Sequence, residues 1–409
     1  MAPRWSELEA QAAVRASQDS DAVDGTLPTR VAIPEGTEQV SAGLRWANEN
    51  GMRVVARGSG TKLGWGNASD AVDLVLSLEK FNRVIEHAWQ DMTVTVEAGT
   101  TVAALRTELA KHGQRWPLDA LWPEKSTVGG VIAANDSGAL RVRFGSVRDL
   151  ILGATVVLAD GTVAKSGGRV VKNVAGYDLP KLFTGSFGTL GVITEVTLRT
   201  YPLPHNTKTL SFLFGDAAEA NQFMVAIADT TLVPAGMQMR AGESPGAVAD
   251  LLFEGLREGI EAQVKRATQV AAGASTVEAT DVWSDRERIC AAADSALVLK
   301  FSVVPTKIAE CINVIRAKFT RTDVMAQSLG LGVARCEGAG DQLLSSLNSL
   351  RADVRLIGGT LSVLAAPLEI RRQIDVFGEG GSAFPVMVRV KQQFDPKGTL
   401  SPGRFVGGI

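Results

Sequence analysis

Cysteine is scarce in this sequence. The chain has three, Cys290, Cys311 and Cys336, far apart and with no C-x-x-C pair. So sparse and odd a set argues against a disulfide framework and fits a reducing compartment. It also excludes an iron–sulfur cluster held by this chain alone. Histidine is as rare: His87, His112 and His205, no two of them close in sequence. Metal sites and Ser-His triads built on histidine are therefore not expected, and no metal is assigned. No apolar run approaches the roughly 20 residues that span a bilayer. The opening residues lack the apolar core of a signal peptide. The expectation is a cytoplasmic protein that reaches the membrane, peripherally, only through partners. Lys plus Arg is 42 against 44 Asp plus Glu, a net charge of −2. No global positive field is present for nucleic acid, and no nucleic-acid partner is expected.

What is present is an ordinary globular composition, 45% hydrophobic and 21% charged over 409 residues. At about 150 residues per domain that length predicts two or three domains. Glycine is plentiful, 42 residues where an average chain has about 7%, and in the half before residue 192 it falls in clusters, Gly58 to Gly66 and Gly185 to Gly191 among them. In that half, helical spacing covers Thr37–Asn50 and Thr101–His112, each closed by a glycine. Strand patterns cover Met52–Ala56, Asp73–Leu78, Met92–Ala98, Leu150–Leu158 and Val192–Leu198. Tyr201-Pro202-Leu203-Pro204 marks a boundary. Beyond it, Leu210–Phe214, Leu297–Val303 and Leu361–Ala365 read as strands, and Ala217–Ala228, Leu256–Ala272, Ile308–Phe319 and Leu343–Ala352 as helices. The whole reads as α+β. An N-terminal segment spans 1–27, a glycine-rich domain 28–205, a second α+β domain 206–384, and a tail 385–409.

Three glycine-rich segments carry possible chemistry. In the first, a strand runs into Arg57-Gly58-Ser59-Gly60-Thr61-Lys62-Leu63. Successive free backbone N–H groups in such a turn form a concave anion site. The GxxxxGK[ST] order of a P-loop is absent, and Gly64 and Gly66 break GxGxxG spacing. A plain glycine-rich turn also fits these residues. The second segment runs from Trp122 and Pro123 through Thr127-Val128-Gly129-Gly130-Val131-Ile132-Ala133 to Ser137-Gly138. Thr127 is placed to cap a short helix whose N-terminus favours a phosphate, with Ser137-Gly138 ending it. A tightly packed core helix of small residues is the other reading. Arg141, Arg143 and Gly145 follow with cations and a turn. The third segment is Lys172-Asn173-Val174-Ala175-Gly176-Tyr177-Asp178. After it comes a glycine turn, Gly185 to Gly191, that feeds the strand Val192-Ile193.

In this order the segments resemble the FAD-binding domain shared by vanillyl-alcohol oxidase, p-cresol methylhydroxylase and the D-2-hydroxy-acid dehydrogenases. Trp116-Pro117-Leu118-Asp119, Thr127-Val128-Gly129-Gly130 and Lys172–Asp178 are closer still to the FAD-binding subunits of bacterial glycolate oxidases. The tail, Phe394-Asp395-Pro396-Lys397-Gly398-Thr399-Leu400-Ser401-Pro402-Gly403-Arg404, matches that family's closing motif, with Ser401 where asparagine is commoner. The resemblance is dense over 28–204 and 385–405 and faint between. It implies a two-part FAD-binding domain of the p-cresol methylhydroxylase type with an α+β cap. Gly58, Ser59, Gly60, Thr61, Lys62 and Leu63 would wrap the pyrophosphate. Pro123, Thr127, Gly129, Gly130, Ala133, Ser137, Gly138, Arg143 and Gly145 would line the flavin and ribityl chain. Gly191, Val192 and Ile193 would meet the adenine. Some members attach the flavin to a histidine in the first loop. Thr61 stands there in this chain, so non-covalent FAD is expected.

Catalytic relatives carry a histidine-rich metal and substrate motif in the C-terminal half, whereas no histidine follows His205. No catalytic residue is assigned. Arg240, Lys300, Arg335 and Arg389 are the candidate carboxylate clamps, although ion-pair or surface roles fit each of them. The resemblance implies the FAD subunit of a heteromeric glycolate (2-hydroxy-acid) oxidase, with a sister flavoprotein subunit and an iron–sulfur subunit as partners and a small 2-hydroxy acid as substrate. A stand-alone dehydrogenase and a flavin-containing scaffold are the alternatives.

Overall fold

The strand Val54–Arg57 is the element on which the candidate site is built. This computed structural model describes residues 4–69, 71–168, 177–291, 295–338 and 340–409. Contacts divide the chain into two units. The first comprises Met1–Asp136, Ser146–Leu203 and Glu379–Ile409, the second Ser137–Gly145 and Pro204–Gly378.

In the first unit a four-stranded sheet runs Ala13–Ala16, Arg30–Ile33, Leu74–Ser77, Val54–Arg57. The first pair is antiparallel and the rest parallel. Leu74, Val75 and Leu76 are buried on both faces, as a central parallel strand requires. The helix Thr37–Glu49 covers one face with Val40, Leu44 and Ala47. A second sheet, antiparallel throughout, runs Val84–Ala88, Thr93–Glu97, Val192–Arg199, Ile151–Val157, Val163–Gly167. It packs against the helices Val102–Ala110 and Val128–Ala134 through Val94, Val96, Leu105, Val131 and Ile132.

The C-terminal helix Phe384–Phe394 returns to this unit, with Val390 and Phe394 against the second core. The tail after it lies along the free edge of Val54–Arg57. Val54 N–H donates to Thr399 O (2.7 Å) and Ser401 N–H to Val54 O (2.8 Å). The closing motif therefore works as an added strand beside the element that leads into the first glycine loop.

The second unit is an eight-stranded antiparallel sheet: Ser275–Ala279, Asn206–Phe214, Ala247–Gly255, Gly236–Ala241, Arg321–Gln327, Leu331–Glu337, Ala296–Ser302, Thr360–Ala365. The helices Ala217–Ala228, Arg257–Val270, Ile308–Lys318 and Gly340–Leu356 contribute to one apolar core on one of its faces. Several of these strands escape the sequence pattern. Gly236–Ala241 buries Met237, Met239 and Ala241 in that core, while Gln238 and Arg240 alternate on the other face. Those polar positions bond Asp250 there, so they look like loop residues in sequence. Arg321–Gln327 and Leu331–Glu337 carry charged residues at alternate positions for the same reason. No helix among the described residues is long and apolar enough to cross a membrane.

Candidate active site

The first glycine segment leaves the C-terminal, half-buried end of Val54–Arg57 as a tight loop. Gly60 has φ +82°, a left-handed conformation that glycine alone adopts at little cost. A Cβ on Gly58 would collide with the Thr127 side chain, so the loop lies against the cap of the next helix. The loop's side chains are committed to the segment before that helix. Ser59 Oγ donates to Lys125 O, and Thr61 Oγ1 meets Ser126 Oγ at 3.2 Å. Lys62 Nζ donates to Ser126 Oγ at 2.7 Å. The backbone is what remains for a ligand. Among the described residues, the N–H groups of Gly58, Ser59, Gly60 and Thr61 find no acceptor in the protein. Four successive orphan donors are what an anion such as a pyrophosphate satisfies.

The second segment behaves otherwise. Thr127 caps the helix Val128–Ala134, its Oγ1 accepting from Gly130 N–H. The N–H of Val128 donates to Thr100 O (2.9 Å) and that of Gly129 to Ala98 O (2.8 Å). With those donors spent, the helix N-terminus has nothing left for the phosphate that the sequence pattern offers it; the unsatisfied donors are those of the first loop. The paired glycines also divide their work. A Cβ on Gly129 would stand 2.7 Å from Ala98 Cβ, so this residue lets helix and strand pack. One on Gly130 would meet only Thr127 Oγ1, at 3.1 Å, so its open side belongs to the cleft. The helix ends earlier than Ser137-Gly138, at Asn135 in the left-handed region (φ 49°).

One cleft in the first unit collects these segments, with about 840 Å3 of atom-free space that opens to solvent. Gly58, Ser59, Gly60, Thr61, Lys62, Leu63, Thr127, Gly129, Gly130, Ala133, Gly191, Val192 and Ile193 line it. Pro123 is outside the lining; its carbonyl accepts from Ala103 N–H at the start of the helix Val102–Ala110. Ser137, Gly138, Arg143 and Gly145 belong to the second unit and do not line it. Lys172 to Gly176 lie outside the described residues, and Tyr177 beside them is 89% exposed. Lining residues that the sequence reading passes over include Ala56, Arg57, Ala98, Ser186, Phe187, Gly188 and Arg404. Ser186–Gly188 lie in a glycine turn that was legible. Arg404 closes the tail motif. Only folding shows that either faces the cleft.

The cations of the cleft are paired. Arg57 bonds Asp21 (2.7 Å), which Arg15 also grips with both guanidinium nitrogens (2.6 and 2.9 Å). Lys62 stands 3.3 Å from Asp136. Arg404 bonds Asp24 (2.8 Å) and the carbonyls of Leu63 and Trp65. The hydrogen bonds from Arg15, and then those from Arg57, hold the Asp21 carboxyl far below its usual range. A carboxyl lowered on folding adds stability that is complete above its unfolded pKa of about 3.9 and is lost as pH falls below it. The urea midpoint should therefore fall as pH is lowered from about 4 toward 2, and Asp21→Asn should flatten that limb. Equal acid slopes for the two proteins would refute this role for Asp21.

The possible clamps of the sequence reading are mostly occupied. Arg240 bonds Asp250 (2.7 and 3.0 Å) and Asp285 (3.1 Å). Arg335 donates to Ala291 O (2.7 Å). Arg389 is exposed, and Lys300 is half-buried on its strand. The cysteines are buried, and burial pushes the Cys311 thiol up to about 12. Thiolate chemistry is thereby removed at that residue.

Residues 28–167 match a family model described as an FAD binding domain. A D-lactate dehydrogenase of Archaeoglobus fulgidus is 30% identical over 419 residues, covering 92% of this chain and 91% of that protein. The chain belongs to the FAD-binding oxidoreductases of the p-cresol methylhydroxylase type. Another relative in that family, glycolate oxidase subunit GlcD of Bacillus subtilis, is 28% identical over 93% of this chain and 89% of its own length. The fold of this FAD-binding oxidoreductase is shared by 4-ethylphenol oxidase of Gulosibacter chungangensis (TM-score 0.75, 15% identity, 98% and 97% of the two chains). p-Cresol methylhydroxylase is likewise similar (TM-score 0.73, 14%, 98% and 93%). Its cofactor is FAD, and the residues present fit one. A dinucleotide needs free donors for its diphosphate and an open surface for a flat ring. The orphan N–H groups of Gly58–Thr61 supply the first and the open side of Gly130 the second.

Proposed function

We propose that this chain is the FAD-binding subunit of a heteromeric 2-hydroxy-acid oxidase, with glycolate or D-lactate as the substrate class. The observation that carries the reading is the row of unpaired N–H groups at Gly58–Thr61, set in a chain that aligns over nearly its whole length with GlcD. When bound, FAD would supply the acceptor for the hydride, two electrons with one proton, that leaves the carbinol carbon as the hydroxyl proton goes to a base or to water. Gly58–Thr61 hold its diphosphate by N–H donation. Gly130 keeps a Cβ away from it, and Gly191–Ile193 border its other end. Of the eighteen positions named from sequence, the thirteen that line the cleft remain the proposed cofactor contacts.

The flavin is held non-covalently, since Thr61 bonds Ser126 and no histidine lies between 51 and 86. Acid precipitation of the yellow protein should leave all flavin in the supernatant as FAD; colour retained in the pellet would refute this. With three scattered buried cysteines the chain has no means to pass electrons through a cluster of its own, so an iron–sulfur subunit and a sister flavoprotein complete the enzyme. A second reading, a stand-alone dehydrogenase, is favoured by the identity to the Archaeoglobus D-lactate dehydrogenase. Dye reduction with each acid separates the two. Turnover only with the partner subunits supports the complex, and robust turnover by the chain alone establishes the second reading.

A further inference from the structure

We propose that the N-terminal segment Ala13–Asp24 is part of the cofactor site, with Asp21 and Asp24 as positioning residues that act through Arg57 and Arg404. The proposal rests on the reading that FAD occupies this cleft. It starts from a charge pattern that a simple diphosphate site would not have. Among the described residues, the lysine and arginines lining the cleft are Arg57, Lys62 and Arg404. Each has a buried carboxylate already in place: Asp21, Asp136 and Asp24. The Asp24–Arg404 pair is almost fully enclosed, at 4% and 3% exposure. A guanidinium that served as counter-ion to a phosphate would gain most if its charge were left uncompensated. These charges are compensated before any ligand arrives.

Their geometry points to a different task. Arg404 donates to the carbonyls of Leu63 and Trp65, at the far end of the glycine loop. Asn67 N–H returns a bond to Arg404 O (3.0 Å), and a Cβ on Gly66 would come within 2.7 Å of that oxygen. Asp24 holds the guanidinium and also accepts from Ser69 N–H (3.0 Å). At the near end, Arg57 precedes Gly58 and is held by Asp21, itself fixed by Arg15. Both ends of the loop that carries the orphan N–H groups are thus tied to Ala13–Asp24. Pre-set donors bind an anion without an ordering cost, so loosening either tie weakens binding.

The two possible roles of Asp24 predict opposite signs. If it acts only through its charge, neutralising it near an anionic ligand tightens FAD. If it positions Arg404, neutralising it weakens FAD. The experiment titrates wild type, Asp24→Asn, Asp24→Glu and Asp21→Asn, stripped of flavin, with FAD by fluorescence quenching, with melting curves alongside. Asp24→Asn and Asp21→Asn should each weaken FAD at least tenfold. Asp24→Glu keeps the charge but shifts its reach, and so should also weaken binding where a pure charge effect would leave it unchanged; this variant serves even if the asparagine does not fold. Unchanged or tighter binding by folded Asp24→Glu and Asp21→Asn overturns the proposal. Failure of the wild type itself to bind FAD would instead refute the cleft assignment.

Discussion

A Gly130→Val variant is expected to fold and to lose FAD affinity by at least a hundredfold. The position is helical, with an ordinary φ, so a side chain is tolerated by the backbone. Only Thr127 Oγ1 stands near the added Cβ, and a shift of a few tenths of an ångström accommodates it. The two branches then project into the cleft. The neighbouring position is the control. Gly129→Val drives its Cβ into Ala98 and should lower stability, as overpacking does by about 1–3 kcal/mol. Flavin absorbance per protein and thermal melting separate the two variants. Full flavin occupancy in Gly130→Val would leave this helix a packing element alone.

Lys391→Met should be among the most destabilising single changes in the first unit. The ammonium is buried and its three donors are all used: Asp395 Oδ2 (2.6 Å), Thr189 O (2.8 Å) and Leu400 O (2.9 Å). Asp395 in turn accepts from the N–H groups of Thr399 (2.9 Å) and Leu400 (2.7 Å), which fixes the tail strand beside Val54. Burial lowers the lysine's pKa, and Asp395 opposes that shift. Taking away the lysine strands a buried carboxylate, a loss of about 3–5 kcal/mol. Removing both charges, as in Lys391→Met with Asp395→Leu, should recover part of that loss, because an apolar pair needs no compensation. Urea unfolding checks both. A single variant as stable as wild type would show that the tail is held by its backbone bonds alone.

The first loop was legible because its chemistry is local: glycines, hydroxyls and a preceding strand lie within a few residues of one another. Thr127 as a helix cap was legible for the same reason, as was the tail as a motif. The clamp on the loop was not, since Asp24 and Arg404 are 380 positions apart and neither has a distinctive neighbourhood. The helix N-terminus misled because its donors are taken by Ala98 and Thr100, residues of another segment. In the second unit, strands with polar residues on the face away from the core are left unassigned by the sequence pattern. Asp250 shows the cause: it is fully buried, yet its satisfaction by Ser211, Gln238 and Arg240 comes from two other strands.

Hydrogen–deuterium exchange across the first loop, with and without FAD, tests the central assignment most directly. Without cofactor, the amides of Gly58, Ser59, Gly60 and Thr61 have no acceptor among the described residues and should exchange rapidly. With FAD bound they should become protected, while Val128 and Gly129, already bonded to Thr100 and Ala98, should change far less. Protection that appears at the helix Val128–Ala134 and leaves the Gly58–Thr61 amides fast would contradict the account.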